Sequence, residues 1–399
     1  MNIDQVIINA QKKCKDLFNH FEEVAFCNQQ RVLNAFRKNK IALRHFAGST
    51  GYAYGDAGRE ALAKAFANAF DKEDAIVSPL FGSGTHTIAV ALFGLTKPGD
   101  TILSISGKPY DTLQKVIRGN YGSLENSGVK FETINLAKDD QFDFSAIQTA
   151  IKKLNPAIIY IQRAKGYEWR KALSIRQIQE AARFIKSLTE APIIADNCYG
   201  EFVETSEPNV NIIMGSLIKN PGGGFAPTGG YIAGDKILID KIASRYSAPG
   251  LGFDIGANPY GYQYYFQGLF MAPHIVSQAM KAAALFSEVF SSIGYQTLNT
   301  LSDITCAIKF KSADQLIKFC QAIQKASPID SHVVPHPSQM PGYENEVIMA
   351  SGSFVQGSSI ELSADAPIKA PYIAYFQGAL TYEHAKIALR EVLEEINIL

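Results

Sequence analysis

Between residues 74 and 197, short β-branched runs alternate with longer stretches of helical periodicity. DAIVSPLF gives way to GTHTIAVALFGL, TILSIS to YDTLQKVIRG, KFETINL to FSAIQTAIKKL and AIIYIQ to RQIQEAARFIKSL, and PIIADN closes the series. A strand that rejoins its sheet after a helix runs parallel to its predecessor. This alternation therefore predicts an α/β fold with a mainly parallel sheet covered by helices on both faces. Ligands of such sheets sit beyond the carboxyl ends of the strands, so the residues just after each strand matter most.

The flanks read differently. Residues 1–50 form a helical arm, with Ile7, Ala10, Cys14, Leu17, Phe18 and Phe21 at helical spacing; arms of this kind often pack on a partner subunit. Residues 51–265 hold the large α/β domain. Residues 266–399 change order, with APHIVSQAMKAAALFSEVF, the strand TCAIKFK, a helix over 314–325 and the terminal YEHAKIALREVLEEI, which predicts a smaller α+β domain.

Composition excludes several classes. Basic and acidic side chains balance at 38 each, so the basic stripe of a nucleic-acid binder is not expected. Five scattered cysteines without a CxxC argue for reduced thiols rather than a disulfide frame or a zinc site, and no metal is expected. No run approaches the roughly 18 apolar residues of a membrane span. MNIDQVIINAQKKCKDLF has acids and amides where a signal peptide carries its apolar core. The expectation is a cytoplasmic protein with neither a membrane nor a nucleic acid as partner.

The segment SLIKNPGGGFAPTGGYIAG, residues 216–234, raises the chemical question. A phosphate-binding P-loop needs its glycines before the lysine, and here Lys219 comes first. Lys219 ends the run NIIMGSLIK, where burial is expected to lower its pKa and make the amine nucleophilic toward aldehydes; alone, it also fits a snorkelling surface lysine. Asp196 ends PIIADN, where a half-buried acid needs a cation unless it caps the next turn. Together the two suit pyridoxal 5′-phosphate (PLP). The lysine forms the Schiff base, and the acid holds the pyridinium proton. In FGSGTHT, Gly82, Ser83, Gly84 and Thr85 lie between a strand and a helix, where backbone N–H groups can meet a phosphate. Ser216 adds a hydroxyl. Tyr110, after TILSIS, is placed to stack on a flat ring or to pack inward at a helix start.

These pieces resemble the fold-type-I PLP enzymes, in particular the Cys/Met-metabolism branch that includes cystathionine β-lyase and methionine γ-lyase. More narrowly, the chain resembles the bacterial cystathionine β-lyase-like, or aluminium-resistance, group. TGYAYGDAGRE, FGSGTHT, GKPYDTL, IQRAKGYEWR, DNCYGEF, the lysine segment, RYSAPGLG and APYIAYFQGALTYEH carry the likeness in the expected order. The resemblance implies that Lys219 is the cofactor-bearing lysine and proton shuttle. Asp196 would pair with the ring nitrogen, Tyr110 would stack on the ring, and Ser83, Gly84 and Ser216 would hold the phosphate. It also implies that Tyr54 (or Tyr52) and Arg59 reach the phosphate of a neighbouring subunit, in a homo-oligomer of shared sites, a dimer or a tetramer. The substrate would be a sulfur-containing amino acid such as cystathionine, cysteine or methionine, undergoing β- or γ-elimination. Transamination, racemisation and PLP binding without turnover are the alternatives.

The related lyases fork the substrate carboxylate with an arginine of the small domain. Here Lys369 stands near that place, and Arg163 and Arg170 are the other candidates. Lysine would pair without the bidentate fork. His86 and Cys198 are read as packing residues. The aluminium label has no physical correlate in the sequence.

Overall fold

The structure is a computed structural model that describes residues 2–299 and 301–396. The N-terminal arm folds as α1 (Ile3–Lys13) and α2 (Lys15–Lys38), joined at Cys14. Its apolar stripe lies against its own chain. Val6, Ile7 and Ala10 enter one core, and Phe21, Val32 and Ala35 enter another.

After α3 (Ala57–Ala69) comes the alternating series. It runs β1 (Asp74–Ser78), α4 (Gly84–Leu95), β2 (Thr101–Ser104), α5 (Asp111–Arg118), β3 (Lys130–Thr133), α6 (Phe144–Leu154), β4 (Ile158–Gln162), α7 (Ile175–Lys186) and β5 (Ile193–Asp196). β6 (Ile212–Ser216), β7 (Gly230–Gly234) and α8 (Lys236–Tyr246) complete the layer. The seven-stranded sheet has the order β1-β7-β6-β5-β4-β2-β3. β7 runs antiparallel to both of its neighbours and the other pairings are parallel. Side chains alternate between the faces. Ile102, Ile158, Ile194, Ile212 and Met214 pack under α4, α5 and α8, while Leu103, Ile159, Ile193, Ala195 and Ile213 meet the helices on the opposite face.

α9 (Gln263–Ser292) joins the two halves of the molecule. Phe266, Leu269, Val276 and Met280 belong to the core of the large sheet, and Leu285, Phe286, Val289 and Phe290 to that of the small one. Although no purely apolar run stands out in the sequence, α9 is long and apolar enough to cross a membrane by length and composition. However, 72% of its most apolar stretch is buried inside the protein.

The small sheet contains β8 (Gln296–Asn299), β9 (Thr305–Lys309), β10 (Val347–Ser351), β11 (Ser363–Pro367) and β12 (Ile373–Gln377), antiparallel in the order β10-β11-β12-β9-β8. α10 (Ala313–Lys325) and α11 (Tyr382–Glu395) cover one face with Phe286 stacked on Phe376 at 3.7 Å. The other face, carrying Ala307, Ile373 and Tyr375, packs against Tyr167 of the large unit.

The loop after β4, RAKGYEWRK, fastens the two units. Lys165 Nζ donates to both carboxylate oxygens of Asp303 at 2.8 and 2.9 Å, to the Thr305 carbonyl at 3.1 Å, and to the Thr305 hydroxyl. Lysine and aspartate side chains are each only 1% exposed. Tyr167 lies 5.2 Å from Tyr375, and Lys309 sits over Trp169. A buried charge that loses its partner costs about 3–5 kcal/mol. Lys165→Met should therefore lower the thermal midpoint well below that of wild type, and adding Asp303→Asn should recover part of the loss. A midpoint unchanged by Lys165→Met would remove the latch from the account.

Candidate active site

β4, β5 and β6 are in parallel register, with Gln162 opposite Asp196 and Asp196 opposite Met214. Strand ends from three segments therefore meet at one edge. Gln162 Oε1 accepts from the backbone N–H of Tyr110 at 2.8 Å, fixing the start of α5. The Tyr110 hydroxyl meets Thr85 Oγ1 at 3.0 Å, and Thr85 in turn meets Thr112. Burial, helped by the Asp196 charge, pushes the Tyr110 phenol well above its ordinary pKa, so it stays neutral. Asp196 is buried and accepts from the Cys198 N–H at 3.1 Å. Burial raises its pKa against the pull of that bond and of Lys219.

β6 ends at Ser216, and Lys219 follows on the turn beyond it. Its Nζ donates to Tyr199 Oη at 2.9 Å and to Ser359 Oγ at 2.8 Å, and lies 4.5 Å from the Tyr199 ring centroid. The expected fall in its pKa does not occur. Burial does pull the ammonium down, but Tyr199, Cys198 and Asp365 outweigh it and the pKa is raised. Tyr199 has a φ of 68°, a conformation rare for a bulky residue and one often kept at functional sites.

Ser83 caps α4, accepting from His86 N at 3.0 Å. A hydroxyl that accepts this bond still has its own proton to donate. Gly84 packs against Ser216; a Cβ there would lie 3.2 Å from Ser216 Cβ and 4.0 Å from Cys198 Sγ. Ser83, Ser216, Thr228 and Gly229 line a cavity of about 340 Å³, with Phe354, Val355 and Gln356 as its other wall. That wall is pinned by Glu361, which accepts from the N–H groups of Phe354 and Val355. A larger cavity, about 560 Å³, lies between α2 and the 206–209 loop. Its Arg31 and Lys72 are spent on backbone carbonyls, and none of the strand-end residues reaches it.

The glycines after Lys219 do not line an open floor. A Cβ on Gly222 would lie 1.8 Å from the Leu217 carbonyl oxygen, and one on Gly223 2.5 Å from that of Gly268. Gly222 is closed in by its own turn and Gly223 by α9, and neither place has room for a side chain.

Both candidate arginine clamps are committed elsewhere. Arg163 is fully buried and donates to Leu173 O, Asn197 Oδ1, Gly200 O and Glu204 Oε1. Arg170 donates to Glu168 and to the carbonyls of Lys171, Gln162 and Ala164. Lys369 stands exposed on the turn between β11 and β12. Arg59 points into its own chain, donating to Gly256 O and Asp254 O, whereas Tyr52 and Tyr54 are exposed with ring centroids 5.7 Å apart. His86 Nδ1 accepts from Gly82 N, and burial, followed by the Asp196 charge, keeps Cys198 a thiol.

Three polar neighbours of this centre were not singled out from the sequence. Tyr199 lies in DNCYGEF, three residues after Asp196, where strand-end reasoning reaches it. Ser359 and Asp365 come from 140 or more residues downstream and give no local signal.

The methionine gamma-lyase family model matches residues 3–397. The chain belongs to the methionine gamma-lyase family. It is 45% identical to the uncharacterized protein YnbB of Bacillus subtilis (strain 168), covering 95% of this chain and 93% of that one. The crystal structure of a carbon-sulfur lyase involved in aluminum resistance from Clostridium novyi NT superposes with a TM-score of 0.94 at 41% identity, covering 100% and 96% of the two chains. Cystathionine gamma-lyase from Lactobacillus plantarum shares the fold, with a TM-score of 0.57 at 14% identity over 86% of this chain and 87% of that one.

The family's cofactor is PLP, and the site fits it. The N-terminus of α4, the Ser83 and Ser216 hydroxyls and the close approach at Gly84 suit a phosphate. Asp196, Tyr110 and Lys219 stand at the same edge of the sheet. Among the described residues no group of three or more His, Cys, Asp or Glu is disposed to hold a metal ion.

Burial pushes the Asp365 carboxyl up to about 6, against the pull of Lys219, Tyr167 and Gln377. A carboxyl raised on folding binds more protons in the folded than in the unfolded state, so its contribution to stability is lost as pH rises from about 4 to about 6. Asp365→Asn should therefore raise the thermal midpoint at pH 7, an effect on the order of 2–3 kcal/mol at most, and leave it unchanged at pH 4. An equal shift at both pH values would dissociate the effect from this ionisation.

Proposed function

We propose that the protein is a PLP-dependent lyase that cleaves the carbon–sulfur bond of a sulfur-containing amino acid such as cystathionine, cysteine or methionine. The observation that carries this reading is Lys219, its Nζ held by Tyr199 and Ser359 beside a cavity with a phosphate cradle. The C. novyi relative's description as a carbon-sulfur lyase supports it. When bound, the cofactor supplies an electron sink conjugated to the substrate Cα.

The protein's own groups do the rest. Ser83, Gly84 and Ser216 would hold the phosphate, Asp196 would pair with the ring nitrogen, and Tyr110, a neutral phenol, would stack on the ring. Lys219 takes the proton from Cα and passes a proton to the departing sulfur. Tyr199 and Ser359 fix where that amine stands and when it is protonated. Tyr52 and Tyr54, being exposed, are available to a second copy of the chain, and we read the enzyme as a homo-oligomer with shared sites. The commitment of Arg163 and Arg170 to their own chain favours one second reading, a PLP-binding protein without turnover.

The visible spectrum of the PLP-loaded protein, beside Lys219→Ala and with keto acid assayed after adding each amino acid, separates these readings. A lysine-dependent band with pyruvate or 2-oxobutyrate from one substrate supports the lyase. A band with no keto acid from any of them supports the silent binder, and no band at all overturns both. Tyr199→Phe should keep the cofactor and lose about 10²-fold in kcat, the usual scale for a group that governs proton transfer. An unchanged kcat would free Tyr199 from that role.

A further inference from the structure

Lys219 follows β6 and Tyr199 follows β5, so neither is held by the ladder of the sheet, yet their polar atoms meet at 2.9 Å. A second bond joins the same two segments. Asn220, the residue after the lysine, donates its Nδ2 to the main-chain oxygen of Glu201, two residues after Tyr199, at 3.0 Å. Glu201 is itself braced from the other side. Its Oε1 accepts from Tyr231 Oη on β7 at 2.8 Å, and it lies so close over β6 that a Cβ on Gly215 would be 2.5 Å from it. Asn220, Glu201 and Tyr231 are all fully buried.

This brace is more than packing. Asn220 Oδ1 and Glu201 Oε2 are both buried without a hydrogen-bond partner, and each such atom costs about 1–3 kcal/mol. An apolar residue of the same shape would avoid that cost, so what the pair provides is the link itself. The link falls where the backbone most needs one. Tyr199 and Phe202, on either side of Glu201, have φ values of 68° and 61°, and left-handed conformations at bulky residues persist only where the surroundings over-determine them. Glu207 holds the far end of this loop through the Phe202 N–H at 3.0 Å, and Asn220 and Tyr231 hold the part nearer Tyr199.

We propose that Asn220, through Glu201, is a positioning residue for Lys219: it keeps Tyr199 Oη against Nζ and so governs when the amine is free to react. From the lyase reading this needs only that Lys219 is the residue that meets the cofactor. Burial pulls the pKa of Lys219 down, and Tyr199 is foremost among the groups that outweigh it. When the loop relaxes and the Tyr199 hydroxyl leaves Nζ, burial regains the upper hand and the ammonium gives up its proton more readily.

The pH dependence of cofactor capture by the PLP-free protein tests this. In the condensation Nζ bonds to the aldehyde carbon of PLP and the aldehyde oxygen leaves as water. The growth rate of the visible band therefore follows the fraction of Lys219 present as free amine. Asn220→Leu keeps the shape of the side chain and removes its donor. Its rate profile should move to lower pH than that of wild type, with capture at pH 7 about 10-fold faster, the scale of one hydrogen bond to a charged group. Tyr199→Phe should move the profile the same way, and the double variant no further than Tyr199→Phe alone, because Asn220 acts through that hydroxyl. A profile that Asn220→Leu leaves at the wild-type position, or two shifts that simply add in the double variant, overturns the proposal. Tyr231→Phe removes the support of Glu201 from β7 and decides the matter should Asn220→Leu not fold. It should shift the profile in the same direction, and an unmoved profile then overturns the brace. Capture of PLP decides this inference, whereas keto-acid release decides the lyase reading, so either can fail without the other.

Discussion

The site depends on the parallel register of three central strands. Because Gln162, Asp196 and Met214 lie side by side across β4, β5 and β6, one sheet edge receives the group that anchors Tyr110, a buried acid, and the segment leading to Lys219. A slip of one residue in β5 would turn Asp196 to the other face. The isoleucines before it prevent that slip. Ile193 and Ile194 are each wholly buried, one in each core, so the hydrophobic pattern of the strand also fixes the direction of its terminal carboxylate.

A sheet edge alone does not complete the centre. Ser359, which shares Lys219 Nζ with Tyr199, belongs to the segment leading into β11, and the cavity wall from Phe354 to Gln356 comes from the same region. These groups stay in place because α9 runs through both cores and the Lys165–Asp303 pair closes the interface on the other side. A pair so well buried contributes little net stability over an apolar contact of the same shape. Its value here is orientation: the bond is made only at one setting of the small sheet against the β4 loop, and that setting brings Ser359 to Lys219.

The alternation of strands and helices was legible because its two periodicities follow from burial on the two faces of a sheet. Lys219, Asp196, Ser83, Gly84, Ser216 and Tyr110 were legible because each ends or follows a strand. What escaped depends on contacts between distant segments. The antiparallel β7 begins in a glycine pair and carries no helix before it, so nothing local announces its direction. Nothing local shows either why Gly222 and Gly223 must be glycine: their neighbours are Leu217, close by, and Gly268 on α9. In RAKGYEWRK, Arg163 and Arg170 suggested a carboxylate clamp. Three of the loop's four cations are instead directed inward, Arg163 to the loop after β5, Lys165 to Asp303, and Arg170 to its own turn. A sequence shows how many positive charges a loop carries, but not which acceptors the fold will set around them.

The electrostatics of the centre follow from the same point. A lysine at a strand end is desolvated, and desolvation alone would release its proton. Here the fold adds a phenol at hydrogen-bond distance, a thiol and a carboxyl, and their combined pull keeps the ammonium charged in the free protein. The cost appears on the partners. Cys198 and Asp365 are both held above their ordinary pKa values by burial, so Cys198 stays a neutral thiol while Asp365, raised to about 6, is the neighbour that carries negative charge beside the ammonium at neutral pH.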